Sequence, residues 1–332
     1  MQSTLDAFFS QKKVSAEEPP LKKSKQTKTP KTRSRDLDQF YTRQESANAA
    51  IELLLDLIPQ LLSTKARWIE PSVGNGAFYN AVCHKLTPHA FDAIDIDEKR
   101  KMLQGVPASV RQLTVNFMDY NAVESEEKCI CVGNPPFGKN ASLALDFINH
   151  AEKFCDVIAF ILPNSFHKLS IMNRVSRNLH LISKKAVKKD AFIYEKEVVH
   201  VPSTWFVFVH RKCKWTTAIN TQNLRELIVP YPVESKYITF QANGPTNETT
   251  FMIQRVGMAA GKVTLNREEW KGKETSKNFY FVIIHFEHIK CAEAVRNDFD
   301  LQHIKEKHWT AGMPSISKSE VVKYLTEFIE SK

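Results

Sequence analysis

The chain has 332 residues, of which 42% are apolar and 25% charged, as in ordinary globular proteins. Its longest apolar run, Val157–Leu162, is far shorter than the roughly 20 residues that cross a bilayer. Asp6, Lys12 and Lys13 interrupt any apolar core that a signal peptide would need. The six cysteines include no Cys-x-x-Cys pair, which excludes a disulfide scaffold and a cysteine zinc ribbon and suits a reducing compartment.

The net charge of +9 is concentrated at the N-terminus. Residues 1–36 hold nine Lys and Arg against four acidic residues, so that this short segment carries +5 and the rest of the chain +4. An isoelectric point near 9.1 favours a polyanionic partner.

Strand and helix patterns alternate through the first two thirds of the chain. Residues 11–35 lack aromatic side chains and are expected to be disordered. Helical spacing follows from Ser46 to Leu62. The predicted strands are Arg67–Glu70, Phe91–Asp95, Leu113–Phe117, Cys129–Gly133 and Val157–Leu162, with predicted helices at Ala77–Leu86 and Ser142–Phe154. This alternation predicts a parallel sheet with right-handed crossovers.

The pattern changes after Leu179. The segment Val198–His210 predicts two strands around Pro202, and the chain beyond about residue 215 predicts a mixture of strands and helices. Its clearest elements are Phe251–Val256, Phe279–Phe286 and the helical Glu320–Ile329. We therefore predict three parts: a basic tail at 1–36, an α/β domain at 37–214 and a smaller α+β domain at 215–332.

A glycine-containing turn, Glu70-Pro-Ser-Val-Gly74-Asn-Gly76, joins a predicted strand to a predicted helix. Glycine lets the backbone approach a ligand closely, and a helix N-terminus offers free N–H groups. Asp95, at the end of the next strand, is placed to accept hydrogen bonds from a ribose. Because Tyr79 occupies the third glycine position of a dinucleotide fingerprint, a pyrophosphate site is disfavoured. The alternative is a tight turn that binds nothing.

The sharpest motif is Asn134-Pro135-Pro136-Phe137, at the end of the strand Cys129–Gly133. Two prolines remove two backbone donors and fix the backbone, which leaves the Asn134 side-chain oxygen and the Pro135 carbonyl as acceptors. Beside the flat face of Phe137, such acceptors suit a planar amine on an aromatic ring. They would direct the amine lone pair toward a cationic sulfonium without a strong base. The alternative is a proline turn that caps a buried strand.

Taken together, residues 37–210 resemble the class I, S-adenosylmethionine-dependent N6-adenine methyltransferases, in the motif order of the γ group. The resemblance implies a Rossmann-like seven-stranded α/β domain with an antiparallel strand near Thr204–His210. The chain departs from the family where Arg43 follows Tyr41-Thr42 in place of the usual proline, and its glycine loop is poor in glycine.

The resemblance also implies a role for each matched residue. The residues expected to bind S-adenosylmethionine are Tyr41 and Thr42 beside the methionine part, Glu70, Gly74 and Gly76 as the floor, Asp95 on the ribose, Asp119 on the adenine amine, and Asn134. The catalytic row is Asn134, Pro135, Pro136 and Phe137. Phe137, and more weakly Phe192, are expected to stack on the target base.

The N-terminus Gln2-Ser-Thr-Leu5-Asp-Ala-Phe8-Phe9 resembles a PIP box, the peptide that binds the sliding clamp PCNA. One helical turn would place Leu5, Phe8 and Phe9 on one side as an apolar plug, with Gln2 making polar contacts beside it. The alternative is an apolar turn that folds back on the core.

Several clusters of basic residues have two possible interpretations each. Pro20-Leu-Lys-Lys-Ser-Lys25 is typical of a nuclear localisation signal, or is a solvated charge run. The lysines at 184, 185, 188 and 189, and the basic residues at 211, 212 and 214, are phosphate contacts or solvated faces. His285 and His288 lack thiolate partners, and no metal is expected.

These observations predict an enzyme that transfers a methyl group to N6 of adenine in a nucleic acid, with 215–332 recognising the target. The clamp peptide and nuclear signal favour nuclear DNA. The alternatives are a nuclear RNA adenine methyltransferase, a methyltransferase of protein glutamine, and a non-catalytic clamp-bound adaptor.

Overall fold

A computed structural model describes residues 40–98, 103–122, 128–213, 226–227, 235–310 and 313–332. They belong to one compact unit, Leu37–Lys332. The predicted PIP box and nuclear signal lie outside the described residues. None of the described helices is long and apolar enough to cross a membrane.

The described helices and strands follow the chain in an α/β order and then an α+β order. The strands are β1 Tyr41–Thr42, β2 Ala66–Glu70, β3 Ala90–Asp95, β4 Val110–Thr114, β5 Lys128–Gly133, β6 Val157–Pro163, β7 Leu179–Ala186, β8 Phe192–Tyr194, β9 Glu197–Val199, β10 Ser203–His210, β11 Glu226–Leu227, β12 Ile238–Phe240, β13 Phe251–Gln254, β14 Val263–Thr264 and β15 Phe279–Ile284. The α-helices are α1 Gln44–Leu57, α2 Ala77–Lys85, α3 Ser142–Ala151, α4 Leu169–Met172, α5 Ala292–Asp298 and α6 Lys318–Glu330.

The main sheet has the order β11-β7-β10-β6-β5-β2-β3-β4. Strands β2 to β6 pair in parallel, and β10 runs antiparallel between β6 and β7. Seven strands in this order, with one reversed strand second from the edge, form the Rossmann-like methyltransferase fold, to which β11 adds an eighth strand. The predicted fold class and the predicted antiparallel strand near Thr204–His210 are both confirmed.

Apolar layers cover both faces of this sheet, as a parallel sheet requires. Alternate residues of β2 point to opposite layers, Trp68 to the layer under α1 and α2 and Ile69 to the layer under α3. The strand β6 is buried along nearly its whole length. Because β2 to β6 run in parallel, their carboxyl ends meet at one edge of the sheet. We call this edge the carboxyl edge.

Two predicted element boundaries were wrong for local reasons. The helix predicted to run to Leu62 ends at Leu57, and a separate 3₁₀ turn begins at Pro59, because a residue before proline is disfavoured in helical conformation. The strand predicted at Leu113–Phe117 ends at Thr114. Its last residues form a 3₁₀ turn in which the Asn116 side chain accepts from the Met118 backbone N–H.

A buried ionic network joins β3 to β2 and β4. Asp92 is fully buried and accepts hydrogen bonds from Arg111 Nε at 2.7 Å, from Arg67 at 3.2 Å and from the Tyr120 hydroxyl. Burial alone would raise the pKa of Asp92, but the hydrogen bonds of Arg111 and Tyr120 and the charges of the two arginines outweigh it and hold that pKa below its ordinary value. Asp92 is therefore a charged, fully bonded group on β3, the strand next to the β4 edge of the sheet.

The C-terminal part contains a second sheet, of order β12-β15-β13-β14, with α5 and α6 packed in the same apolar cluster. The helix α6 begins with a capping box between Ser317 and Glu320. The predicted additional α+β region is therefore confirmed. It contacts the segment after β6 through Lys168, which lies just before α4 and whose Nζ donates to the Ser315 carbonyl at 2.8 Å.

Candidate active site

A pocket opens at the carboxyl edge, beside the end of β2 and the loop after β5. Five of its residues were predicted from the sequence, namely Tyr41, Thr42, Glu70, Gly74 and Asn134; the others are Phe40, Ser72, Val73, Asn75, Ala77 and Phe78. Residues that lie almost a hundred positions apart in the chain thus meet at one place. The pocket is the candidate active site.

Glu70 fixes the helix that borders the pocket. Its side chain is buried, and Oε2 accepts a hydrogen bond of 3.0 Å from the backbone N–H of Tyr79, the third residue of α2. A carboxylate at this point satisfies a helix N–H that has no partner within the helix and also complements the positive end of the helix dipole. The Glu70 side chain therefore links the end of β2 to the start of α2.

The turn between Glu70 and α2 depends on its glycines. Gly74 has φ of +50° and Gly76 has φ of +79°, in the region that glycine adopts without a steric penalty. A Cβ on Gly74 would lie only 3.1 Å from the ring of Tyr41. Glycine at this position therefore lets the Tyr41 ring lie directly against the backbone of the turn.

Asp95 supports the same turn from the neighbouring strand. Its Oδ2 accepts from the Gly74 N–H at 2.8 Å, and its Oδ1 accepts from the Asp97 N–H at 3.0 Å. The carboxylate is not a wall of the pocket, and it touches the pocket through Gly74. Its expected contact with a ribose stays a prediction.

Two hydrogen bonds hold Asn134, and its side-chain oxygen takes part in neither. Its Nδ2 donates to the Phe40 carbonyl at 3.0 Å, and its own backbone carbonyl accepts from the Ser72 hydroxyl at 3.0 Å. The side-chain Oδ1 is buried and has no hydrogen-bond partner among the described residues. The hydroxyl of Thr42, in the same pocket, is also buried without a partner.

Unpartnered buried oxygens are rare because each one loses its hydrogen bonds to water. Two of them in one pocket, on Thr42 and Asn134, mark a site that is built to receive hydrogen-bond donors. An amine or hydroxyl group of a ligand would supply those donors.

The loop after Asn134 is strained. Pro135 is buried, and Phe137 is half-buried against the apolar layer under α3. The two residues that precede α3, Asn140 and Ala141, have φ of 55° and 61°. Asparagine adopts such angles more readily than other non-glycine residues, whereas for Ala141 the conformation costs about 1–3 kcal/mol.

Seven of the predicted site residues do not line the pocket, namely Gly76, Asp95, Asp119, Pro135, Pro136, Phe137 and Phe192. Gly76 lies at the start of α2, where an added Cβ would meet Leu103. Asp119 is exposed, at the end of the 3₁₀ turn after β4. Phe192 is completely buried in the core and pairs with Thr42 through β1 and β8. The expectation that Phe192 stacks on a base is therefore wrong, because its ring has no exposed surface.

The sequence analysis placed Phe40 and Ser72 within or next to its motifs but gave neither of them a role in the site. Phe40 contacts Asn134 through its backbone carbonyl. Any residue type could make this contact, so no side-chain motif reveals it. Ser72 lies inside the glycine turn, two residues after Glu70, and this position could have identified it as a site residue.

No family model matches the chain, and no curated protein matches it. Several solved structures are similar to it over about half its length. A type I restriction-modification system methyltransferase subunit from Streptococcus thermophilus is 14% identical, with a TM-score of 0.42, over 54% of this chain and 46% of its own. The chain thus spans under half of that subunit.

Two further solved structures are similar to a comparable extent. The 23S rRNA methyltransferase ErmE is 18% identical, with a TM-score of 0.37, over 52% of this chain and 70% of its own. A proposed methyltransferase from Streptococcus mutans in complex with SAH is 14% identical, with a TM-score of 0.34, over 48% of this chain and 97% of its own.

Proposed function

We propose that the protein is an S-adenosylmethionine-dependent methyltransferase that modifies N6 of adenine in a nucleic acid. The observation that carries the proposal is the buried, unpartnered Oδ1 of Asn134, fixed in direction because its Nδ2 is bound to the Phe40 carbonyl. The exocyclic amine of a base is a donor that would satisfy this acceptor.

The residues around the pocket fit the cofactor. Tyr41 and Gly74 offer an aromatic face and an exposed backbone, and the Thr42 hydroxyl is an unsatisfied polar atom that a bound amino acid group would satisfy. Asp95 and Asp119 would bind the ribose and the adenine amine. When bound, S-adenosylmethionine supplies an electrophilic methyl group on a cationic sulfur.

In this proposal Asn134 and the Pro135 carbonyl accept hydrogen bonds from the two amine hydrogens. The nitrogen then becomes pyramidal, and its lone pair points toward the cofactor side of the pocket. Held in this way, the amine would be aimed at the methyl group that bound S-adenosylmethionine would supply, and the methylated amine would lose one proton to water. Phe137 would hold the plane of the base, since base–aromatic stacking contributes roughly 1–3 kcal/mol.

Exposed lysines beside the pocket support a nucleic-acid substrate. Thr204 pairs with Ala186 and Ser203 with Pro163, so β7 ends at the same carboxyl edge as β6. The side chains of Lys184, Lys185, Lys188 and Lys189 are all exposed around that end. Cations at this position would contact the phosphates of a strand whose base enters the pocket.

Among nucleic acids we propose nuclear DNA, in association with the PCNA clamp. The basis is the N-terminal sequence, in which Gln2, Leu5, Phe8 and Phe9 have the spacing of a clamp-binding peptide and Pro20–Lys25 has that of a nuclear signal.

A labelled-methyl assay on matched duplex DNA, single-stranded DNA, RNA and protein tests this function. We expect label in N6-methyladenine of DNA, and loss of that label in Asn134→Ala. The control is Asn80→Ala, which removes an exposed asparagine on α2 and should leave transfer unchanged. Label in RNA or in protein glutamine, with none in DNA, would overturn the choice of DNA, and label in none of the four would overturn the proposed function.

A further inference from the structure

The two most exposed large apolar side chains in the described part of the chain are both methionines and lie together. Met258 is 79% exposed and Met313 is 64% exposed. A Cβ on Gly257 would lie 3.7 Å from Met313 Cε, so Met313 lies against the residue that precedes Met258. Single exposed apolar residues are ordinary, but two long, unbranched side chains at one point form an apolar projection. We call Met258 and Met313 the methionine pair.

The loop that carries Met258 is fixed at both ends. The Gly257 N–H donates to the Pro314 carbonyl at 2.9 Å, and the Gly261 N–H donates to the Gln254 carbonyl at 2.7 Å. Gly261 has φ of +95°, and a Cβ there would lie 2.3 Å from the Leu301 carbonyl oxygen. Because glycines close the loop against its neighbours, Met258 is held outward on a rigid support.

The methionine pair is linked to the loop after Asn134 through a series of intermediate contacts. Val256, two residues before Met258, pairs with Ser315, and Lys168 Nζ donates to the Ser315 carbonyl and hydroxyl at 2.8 and 3.0 Å. Lys168 directly follows the turn Asn164–His167, which contacts the turn Lys139–Ala141 just after Phe137. The pair is therefore attached to the rim of the carboxyl edge on the side of β5 and β6.

Cations accompany the pair. Arg255 is exposed, lies over the Tyr280 ring at 5.5 Å and donates to the Lys277 carbonyl at 3.2 Å. It pairs with no carboxylate among the described residues, and Lys277 is exposed too. A narrow apolar projection beside unneutralised cations matches a base stack between two phosphate backbones better than it matches a broad apolar protein surface.

We propose that the methionine pair is the wedge that enters the duplex where the target adenine leaves it; this inference rests on the proposed function. An adenine inside a duplex must be extruded before its amine can reach Asn134, at a cost of a few kcal/mol. Apolar side chains that occupy the vacated space restore stacking contacts for the neighbouring bases, and methionine adapts to an irregular gap. Met258 and Met313 are thus positioning residues and take no part in the chemical step.

The test compares wild type with Met258→Ala/Met313→Ala on three forms of the best DNA substrate from the assay above: the duplex, the same strand alone, and a duplex in which the target adenine is mismatched. We expect transfer to the duplex to fall about tenfold or more, with single-strand transfer within about twofold of wild type. The mismatched duplex should restore most of the loss, because its adenine is already unpaired.

Two further variants control for size and for general surface effects. Met258→Leu/Met313→Leu keeps the apolar volume and should retain duplex transfer. Leu62→Ala removes an apolar side chain that is 59% exposed just before β2, at the opposite edge of the sheet, and should change nothing. Equal losses on duplex and single strand, or no loss at all, would overturn the wedge. An unchanged duplex rate with loss of self-association in sedimentation would instead assign the pair to a protein contact.

A second readout separates this inference from the proposed function. Binding of a random-sequence duplex is compared with binding of the same duplex with one abasic site, without turnover. A wedge predicts that wild type prefers the abasic duplex and that the double alanine variant loses the preference. If wild type methylates no nucleic acid, the proposed function fails, and this preference alone then decides the wedge.

Discussion

Asp92, on β3, and Asn134, directly after β5, both have buried side-chain oxygens, yet the partners of these oxygens differ completely. The carboxylate of Asp92 accepts from Arg67, Arg111 and Tyr120. The Oδ1 of Asn134 is bonded to nothing among the described residues. Each group pays for its removal from water, but only Asp92 recovers that cost within the protein.

This difference distinguishes a side chain that stabilises the fold from a side chain that is available to bind a ligand. A polar side chain whose partners are all internal contributes to the free energy of unfolding. A polar side chain whose acceptor atom has no internal partner lowers stability slightly, and that atom gains a partner only when a ligand binds. The comparison therefore predicts that substitutions at the two places act on different measurable quantities.

The largest effect is expected for Asn134→Ala. Methyl transfer should fall about 10³-fold, as when one preorganised hydrogen-bonding group is removed from an active site. The free energy of unfolding should change by only about 1 kcal/mol, because the side chain makes one hydrogen bond, to the Phe40 carbonyl. Single-turnover kinetics and urea denaturation measure the two quantities, and a variant with near-normal turnover would contradict the assigned role.

Asp92→Asn should show the opposite result. Loss of the charge leaves Arg67 and Arg111 without their counter-ion, and breaking a largely buried ion pair costs about 3 kcal/mol of unfolding free energy. Any change in the kinetics of the folded variant should be small. Urea denaturation with equal m-values checks the first statement; a variant as stable as wild type would remove the contrast with Asn134.

The same substitution changes the pH dependence. The folded-state pKa of Asp92 lies below its ordinary value of 3.8, so its contribution to stability is complete above about pH 4 and is lost as the pH falls through the folded pKa. The stability of wild type should therefore decline more steeply below pH 4 than that of Asp92→Asn. Parallel pH profiles of the two proteins would contradict the assignment.

Asp95→Ala and Asp119→Ala sharpen the comparison at the cofactor side. Each is expected to weaken S-adenosylmethionine binding by roughly 1.5–3 kcal/mol, the value of hydrogen bonds to a charged acceptor. Only Asp95 also accepts from the Gly74 N–H, so only Asp95→Ala should lower the melting temperature as well. Calorimetry that finds unchanged affinity in both folded variants would show that the cofactor binds elsewhere.

Thr42→Val tests the second unpartnered oxygen. The substitution keeps the shape and removes a buried hydroxyl that has no partner in the described part of the chain, so stability should stay the same or rise by up to about 1 kcal/mol. Cofactor affinity should fall at the same time. A loss of stability comparable to that of Asp92→Asn would mean that the hydroxyl has a structural role.

The parts of this site that the sequence predicted are those encoded by short local patterns. Glycine frees the backbone and proline restricts it wherever they occur. The turn at Gly74 and the Asn-Pro-Pro-Phe segment at Pro135 can therefore be predicted without knowledge of the fold. The burial of Phe192 depends on β1 pairing with β8, about 150 positions apart, and no local pattern encodes that distance. The contact of Asn134 with the Phe40 carbonyl and the partners of Asp92 also arise only from the tertiary fold.

The smallest effect on turnover is expected from the clamp-binding sequence, which lies outside the described residues. Phe8→Ala with Phe9→Ala removes both aromatics of the predicted plug and should abolish binding to PCNA. Turnover on short naked oligonucleotides should equal that of wild type, because the hydrogen-bond partners that the structure gives Asn134 and Asp92 all lie within residues 40–134. Methylation of clamp-loaded DNA should drop. A peptide of residues 1–14 offers the direct measurement by fluorescence anisotropy, with the same double substitution as its control. If the peptide fails to bind the clamp, the proposal loses its main reason for preferring DNA over RNA, while the roles assigned to Asn134 and Asp92 are unaffected.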